Sequence, residues 1–108
     1  MSAPELTAAE VAARAGEDQP LVLDVREDWE WEAGHIAESV HIPLGELGSR
    51  IGELPGDRPI VVVCRSGSRS QMVADAMAEA GWDTANLAGG LLAWHAAGLP
   101  LEPPGHVA

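Results

Sequence analysis

A chain of 108 residues, 46% of them hydrophobic, has apolar material for one packed core and little for a second. Its formal charge of −11, from seventeen acids against six arginines and no lysine, disfavours nucleic acid and anionic membrane surfaces as partners. A single cysteine excludes an internal disulfide and a cysteine-rich zinc site, which leaves packing or reactivity as its use.

In chain order, the opening Met-Ser-Ala-Pro-Glu-Leu lacks the basic region and apolar run of a secretion signal. No stretch is apolar for long enough to cross a bilayer, so the expectation is a soluble cytoplasmic protein. Thr7-Ala8-Ala9-Glu10 has capping-box spacing, with Leu6, Val11 and Ala15 at helical intervals before a stop at Gly16. Leu21 to Val25 reads as a buried strand, Asp28 to Ala33 as a short helix ended by Gly34, and Val40 to Ile42 as a second strand. Pro43 opens a helical stretch with Leu44, Leu47, Ile51 and Leu54 on one face. Ile60 to Val63 is apolar without alternation, as expected of a parallel strand covered on both sides. Met72, Val73, Ala76, Met77 and Ala80 trace a helix from Ser70 to a stop at Gly81. Ala85 to Leu87 is a weak last strand, Leu91 to Ala97 a last helix, and Glu102 to Ala108 a frayed tail.

Strands alternating with helices predict an α/β fold: a three-layer domain over residues 1–101 with a central, mostly parallel sheet, expected to act as a monomer. In such a sheet the ligand site lies outside the carboxyl ends of the strands, where Cys64 follows the most buried one. Glycine- and serine-rich turns entering a helix present amides to an anion, and a thiolate is an anion. An unpaired cysteine after an apolar strand is more often a buried small hydrophobe. Its sequel, Arg65, Ser66, Gly67, Ser68, Arg69 and Ser70, is poor core material and a good set of anion ligands, so a nucleophile that also holds an anionic group is expected here.

Other candidates have blander uses. Asp24, Arg26 and Glu30 follow a strand, where acids and an arginine more often pair and cap turns than catalyse. His35 and His41 lack a completing ligand set, so no metal is expected. Gly89-Gly90 falls short of a dinucleotide fingerprint and is read as a tight turn; no cofactor is called for. The four tryptophans are read as packing.

The stretch "CRSGSRS" resembles the active-site loop of rhodanese-like sulfurtransferases. "LVLDVREDWEWEAGHIAESVHIPLGEL" and "LAGGLLAWHAAGLPL" resemble the family's upstream and closing signatures, in the right order from Leu21 to Leu101. The resemblance implies that Cys64 takes sulfane sulfur as a persulfide from a small anionic donor such as thiosulfate, or from a polysulfide, a low-molecular-weight persulfide or a protein persulfide, and passes it to a thiol, cyanide or protein acceptor. It implies that the backbone amides of Arg65 through Ser70 cradle the outer sulfur, that Asp24 and Arg26 brace the loop, and that His35 makes a structural hydrogen bond. Ser66 and Arg69 stand where thiosulfate-preferring members carry lysine and threonine, and Glu38 stands where a small residue is usual. The rival readings are a cysteine phosphatase or arsenate reductase, whose loop from cysteine to arginine is one residue longer, and a non-catalytic binding module of the same fold.

Overall fold

The computed structural model describes residues 2–14 and 19–108. Four apolar residues, Ile60–Val63, form strand β4, and every one is buried because both faces of the sheet are covered. Beside it lie β2 (Leu21–Asp24) and β5 (Thr84–Leu87), with β3 (Val40–His41) and β1 (Glu5–Leu6) at the edges. The order β1-β5-β4-β2-β3 is parallel throughout.

Side chains of successive strand residues point to opposite faces, and this period divides the core in two. Leu23, Val25, Ile60, Val62 and Cys64 pack with Leu47 of helix α3 (Leu47–Arg50) and with Val73, Ala74 and Met77 of α4 (Ser68–Glu79). Val22, Val61, Val63 and Leu87 face the other way, onto Ala8 and Val11 of α1 (Ala8–Ala13) and Leu91 and Trp94 of α5 (Gly90–Ala96). The remaining helix, α2 (Asp28–Ala33), joins β2 to β3. Thr7 and Glu10 close the expected capping box at the start of α1. Among the described residues, no helix is long and apolar enough to cross a membrane.

Four expectations need correction. Leu6 does not lead into a helix: Glu5 and Leu6 pair with Asn86 and Leu87 as an edge strand, too short to carry a periodicity. That pairing makes β5, the last strand in chain order as expected, an interior strand of the sheet instead of a weak one. The Pro43–Leu54 stretch keeps its apolar face but breaks into two 3₁₀ turns, Leu44–Glu46 and Ile51–Glu53, around one α-helical turn. Gly45, Gly48 and Gly52 lower its helix propensity enough for packing to decide its shape. Finally, Glu102 to Ala108 is laid against the domain. His35 and Glu102 exchange backbone hydrogen bonds of 3.0 and 2.7 Å, and Val107 packs on the core beneath α1 and α5. The expected first-helix residue Ala15 and its stop at Gly16 lie outside the described residues.

Candidate active site

Cys64 extends the register of Ile60 and Val62, so its side chain emerges on the face covered by α4, under that helix's first turn. It is fully buried. The chain reverses into α4 at Gly67, whose φ of +104° is in the left-handed region that glycine enters freely.

The loop is also held from behind. Helix α5 begins with amides that have no partner of their own, and Leu91 and Leu92 donate theirs to the carbonyls of Cys64 and Arg65, at 2.9 and 3.0 Å. This requires a very close approach. A Cβ on Gly90, which has φ +62°, would sit 2.6 Å from the Cys64 carbonyl oxygen and 2.5 Å from that of Arg65. The glycine pair read as a tight turn thus brings α5 up to the loop and draws its carbonyls away from the sulfur.

What faces the sulfur is donors. The Gly67 amide reaches Sγ at 3.1 Å, the Ser70 amide at 3.4 Å and the Ser70 hydroxyl at 3.2 Å. Burial pushes the Cys64 thiol up, but the Ser70 hydroxyl and the amides of Ser70, Gly67 and Arg69 outweigh it, and the net displacement is downward. Hydrogen bonds to a charged partner contribute about 1.5–3 kcal/mol each, so a few suffice to offset burial.

Asn86 of β5, 1% exposed, is a residue the sequence reading passed over. Its Nδ2 donates to the Gly67 carbonyl and to Gln71 Oε1, both at 3.1 Å, which turns Oδ1 toward the Ser70 hydroxyl. The available signal was a carboxamide inside a strand of otherwise buried residues, where a polar group must have partners.

The charged candidates separate into pairs. Asp24 and Arg26, both fully buried, bind each other, and Arg26 Nη2 also donates to the Gly34 carbonyl at 2.8 Å. They tie the end of β2 to the end of α2. Contact with the loop comes instead through Glu30, set as the third residue of α2 by its capping bond from the Glu27 amide. Its two oxygens accept from Arg69 Nη1 and Nη2 at 2.8 and 2.9 Å. Those bonds hold the Glu30 carboxyl below the usual carboxylate range despite its burial. Arg65 is exposed at the rim, its Nε donating to the Ala108 carbonyl at 3.0 Å. Ser66 and Ser68 are exposed.

His35 and His41 serve packing. The His35 ring stacks on Trp31 at 3.6 Å and its Nδ1 lies 2.9 Å from the Trp31 carbonyl. His41 stacks at 4.7 Å, its Nε2 2.8 Å from the Arg26 carbonyl. Among the described residues, no group of three or more histidines, cysteines and acids could hold a metal ion. A cavity of about 440 Å³ between Val11, Leu21, Ile36 and Trp94 includes no residue of the Cys64 loop.

Residues 7–97 match the family model of the rhodanese-like domain. YtwF of Bacillus subtilis, a putative sulfurtransferase, is 38% identical over 95 residues, which cover 87% of this chain and 92% of that protein. The helix-turn-helix-type transcriptional regulator Rv0324 of Mycobacterium tuberculosis is 40% identical over 114 residues. That alignment takes in 98% of this chain but 50% of the regulator, so the chain spans half of that relative's length. The crystal structure of a rhodanese-related protein from Thermoplasma volcanium superposes with a TM-score of 0.85 at 31% identity, over 91% of this chain and 96% of that one.

Proposed function

Because the chain belongs to the rhodanese-like domain family, we propose that it is a sulfurtransferase that carries sulfane sulfur as a persulfide on Cys64. Its similarity to a putative sulfurtransferase supports sulfur transfer of the rhodanese type in general. The observation that carries the reading is the ring of donors from Gly67 and Ser70 converging on one buried sulfur.

In the first half-reaction the Cys64 thiolate attacks the outer sulfur of a donor. The new S–S bond forms as the donor's bond to that sulfur breaks, and the leaving group departs with the electron pair. Amides from Arg65 to Ser70 then hold the transferred sulfur. An acceptor nucleophile, such as cyanide, a thiol or a protein thiol, attacks that sulfur in the second half-reaction and releases the Cys64 thiolate. Only Arg65, Ser66, Gly67 and Ser68 separate Cys64 from Arg69, a span that suits one added sulfur better than a phosphoryl group with its peripheral oxygens. Electrostatic stabilisation depends on donor placement to a few tenths of an ångström, so a loop one residue short forfeits most of it toward phosphate.

Intact-protein mass spectrometry after exposure to sulfane donors tests the assignment. The protein should gain one reducible sulfur and lose it to cyanide or a thiol. Folded Cys64→Ser should gain none, and aryl phosphates should not be hydrolysed. Sulfur transfer persisting in Cys64→Ser would remove the nucleophile, while phosphatase turnover without any sulfur loading would move the protein to the rival chemistry.

A further inference from the structure

Sequence composition placed two cations beside the thiol, Arg65 and Arg69, ready to recruit an anionic donor. The structure gives them different circumstances. Arg65 is exposed at the rim, where water and salt screen it. Arg69 is the inner one, and both of its Nη atoms are bound by a carboxylate 4% exposed, that of Glu30. The other buried charges around the loop, Asp24 and Arg26, also cancel within their own pair. With both pairs closed, the inner site holds no uncompensated positive charge, and its remaining attraction for an anion comes from amide and hydroxyl dipoles.

We propose that Glu30 is a specificity-determining residue: by neutralising Arg69 it turns the site away from dianionic donors and toward organic persulfides. This rests on the sulfur-transfer reading above and names the donor class of that site. With a perthiol R–S–SH, the thiolate attacks the outer sulfur, the inner S–S bond breaks, and R–S⁻ leaves with the electron pair while the proton stays on the transferred sulfur. One negative charge enters the step and one leaves. With thiosulfate the same attack brings a monoanion onto a dianion and expels sulfite as a dianion, so three negative charges must share a site without a free counter-cation. Dipoles suffice for the first case. The second needs Arg69 released from its partner, and breaking a buried bidentate pair leaves an uncompensated carboxylate behind.

Glu30→Gln keeps the shape and the acceptor for the Glu27 amide but removes the charge that cancels Arg69. The readout is the initial rate at which Cys64 gains one sulfur, followed by intact mass with thiosulfate and, separately, with the persulfide of mercaptoethanol. The ratio of thiosulfate to persulfide loading should rise about tenfold in Glu30→Gln, the scale of one uncancelled charge at a half-buried site, and the gain should shrink with added salt. Glu30→Asp, on a stem too short to engage both nitrogens equally, should give an intermediate rise and carries the test if the glutamine variant does not fold. An unchanged or falling ratio in either folded variant would overturn the role of Glu30 while leaving sulfur transfer intact. Failure of the unmodified protein to load from any donor would instead overturn the sulfur-transfer reading, and this inference with it.

Discussion

The Ser70 hydroxyl has one proton and three acceptors within reach: Cys64 Sγ, the Gly67 carbonyl and Asn86 Oδ1. While the sulfur is a thiol, the proton satisfies Asn86; once the sulfur is a thiolate, the charged acceptor claims it. Ser70 therefore favours the thiolate, and Ser70→Ala should raise the thiol pKa by removing that charge-assisted bond. The chain permits an unobstructed measurement, since it has one cysteine and no tyrosine. Ultraviolet absorbance of the thiolate, titrated against pH, reports Cys64 without overlap from phenolate. An unmoved titration midpoint would show that the amides alone set the thiol's acidity.

At the level of elements, the loop depends on α5 as much as on its own residues, because the first amides of α5 orient the Cys64 and Arg65 carbonyls. Gly90→Ala adds a methyl where two backbone oxygens already stand, in a left-handed conformation. It should destabilise the fold by about 3 kcal/mol in urea unfolding and lower the rate of sulfur loading in whatever folds. Wild-type stability with wild-type loading would mean that the approach of α5 is dispensable. How far such features were legible depended on the distance over which they are encoded. The apolar run ending at Cys64, the α4 stripe and the α1 cap are local patterns, and they located the sheet, the buried thiol at its carboxyl end and the helix entrance. Edge strand β1 has two residues and becomes a strand only by pairing with Asn86 and Leu87, 81 positions further along the chain. Glu30 and Arg69 each looked like a local capping or anion-binding residue, and their pairing spans 39 positions. Asn86 is likewise read only once the fold brings Ser70 and Gly67 to it.

For the molecule as a whole, two electrostatic trends oppose each other. The charge of −11 repels itself at neutral pH, so added salt should raise the melting temperature. Glu30, held below the usual carboxylate range by Arg69, and Asp75, held below it by the Ala3 amide, work in the other direction on acidification. Their folded-state pKa values lie below the unfolded ones, so their contribution is complete above the ordinary carboxylate pKa and is lost as pH falls through the lowered values. Melting curves across pH should therefore show little loss, or a slight gain, on moving from neutrality toward the carboxylate range, then a decline below it. A melting temperature still rising at the acid end would show that these carboxylates do not govern acid stability.

The alternation along β4 carries a chemical instruction together with a packing one. Ile60, Val62 and Cys64 share a face, while Val61 and Val63 take the other. An insertion or deletion of one residue within that strand would keep the composition of the core almost unchanged, yet it would carry the thiol through the sheet to the side of α1 and α5, away from every donor that surrounds it. Length variation in this lineage should thus be tolerated in Pro55–Pro59, before the strand, and purged between Ile60 and Cys64, so that the spacing of four hydrophobic residues is inherited as strictly as Cys64 itself.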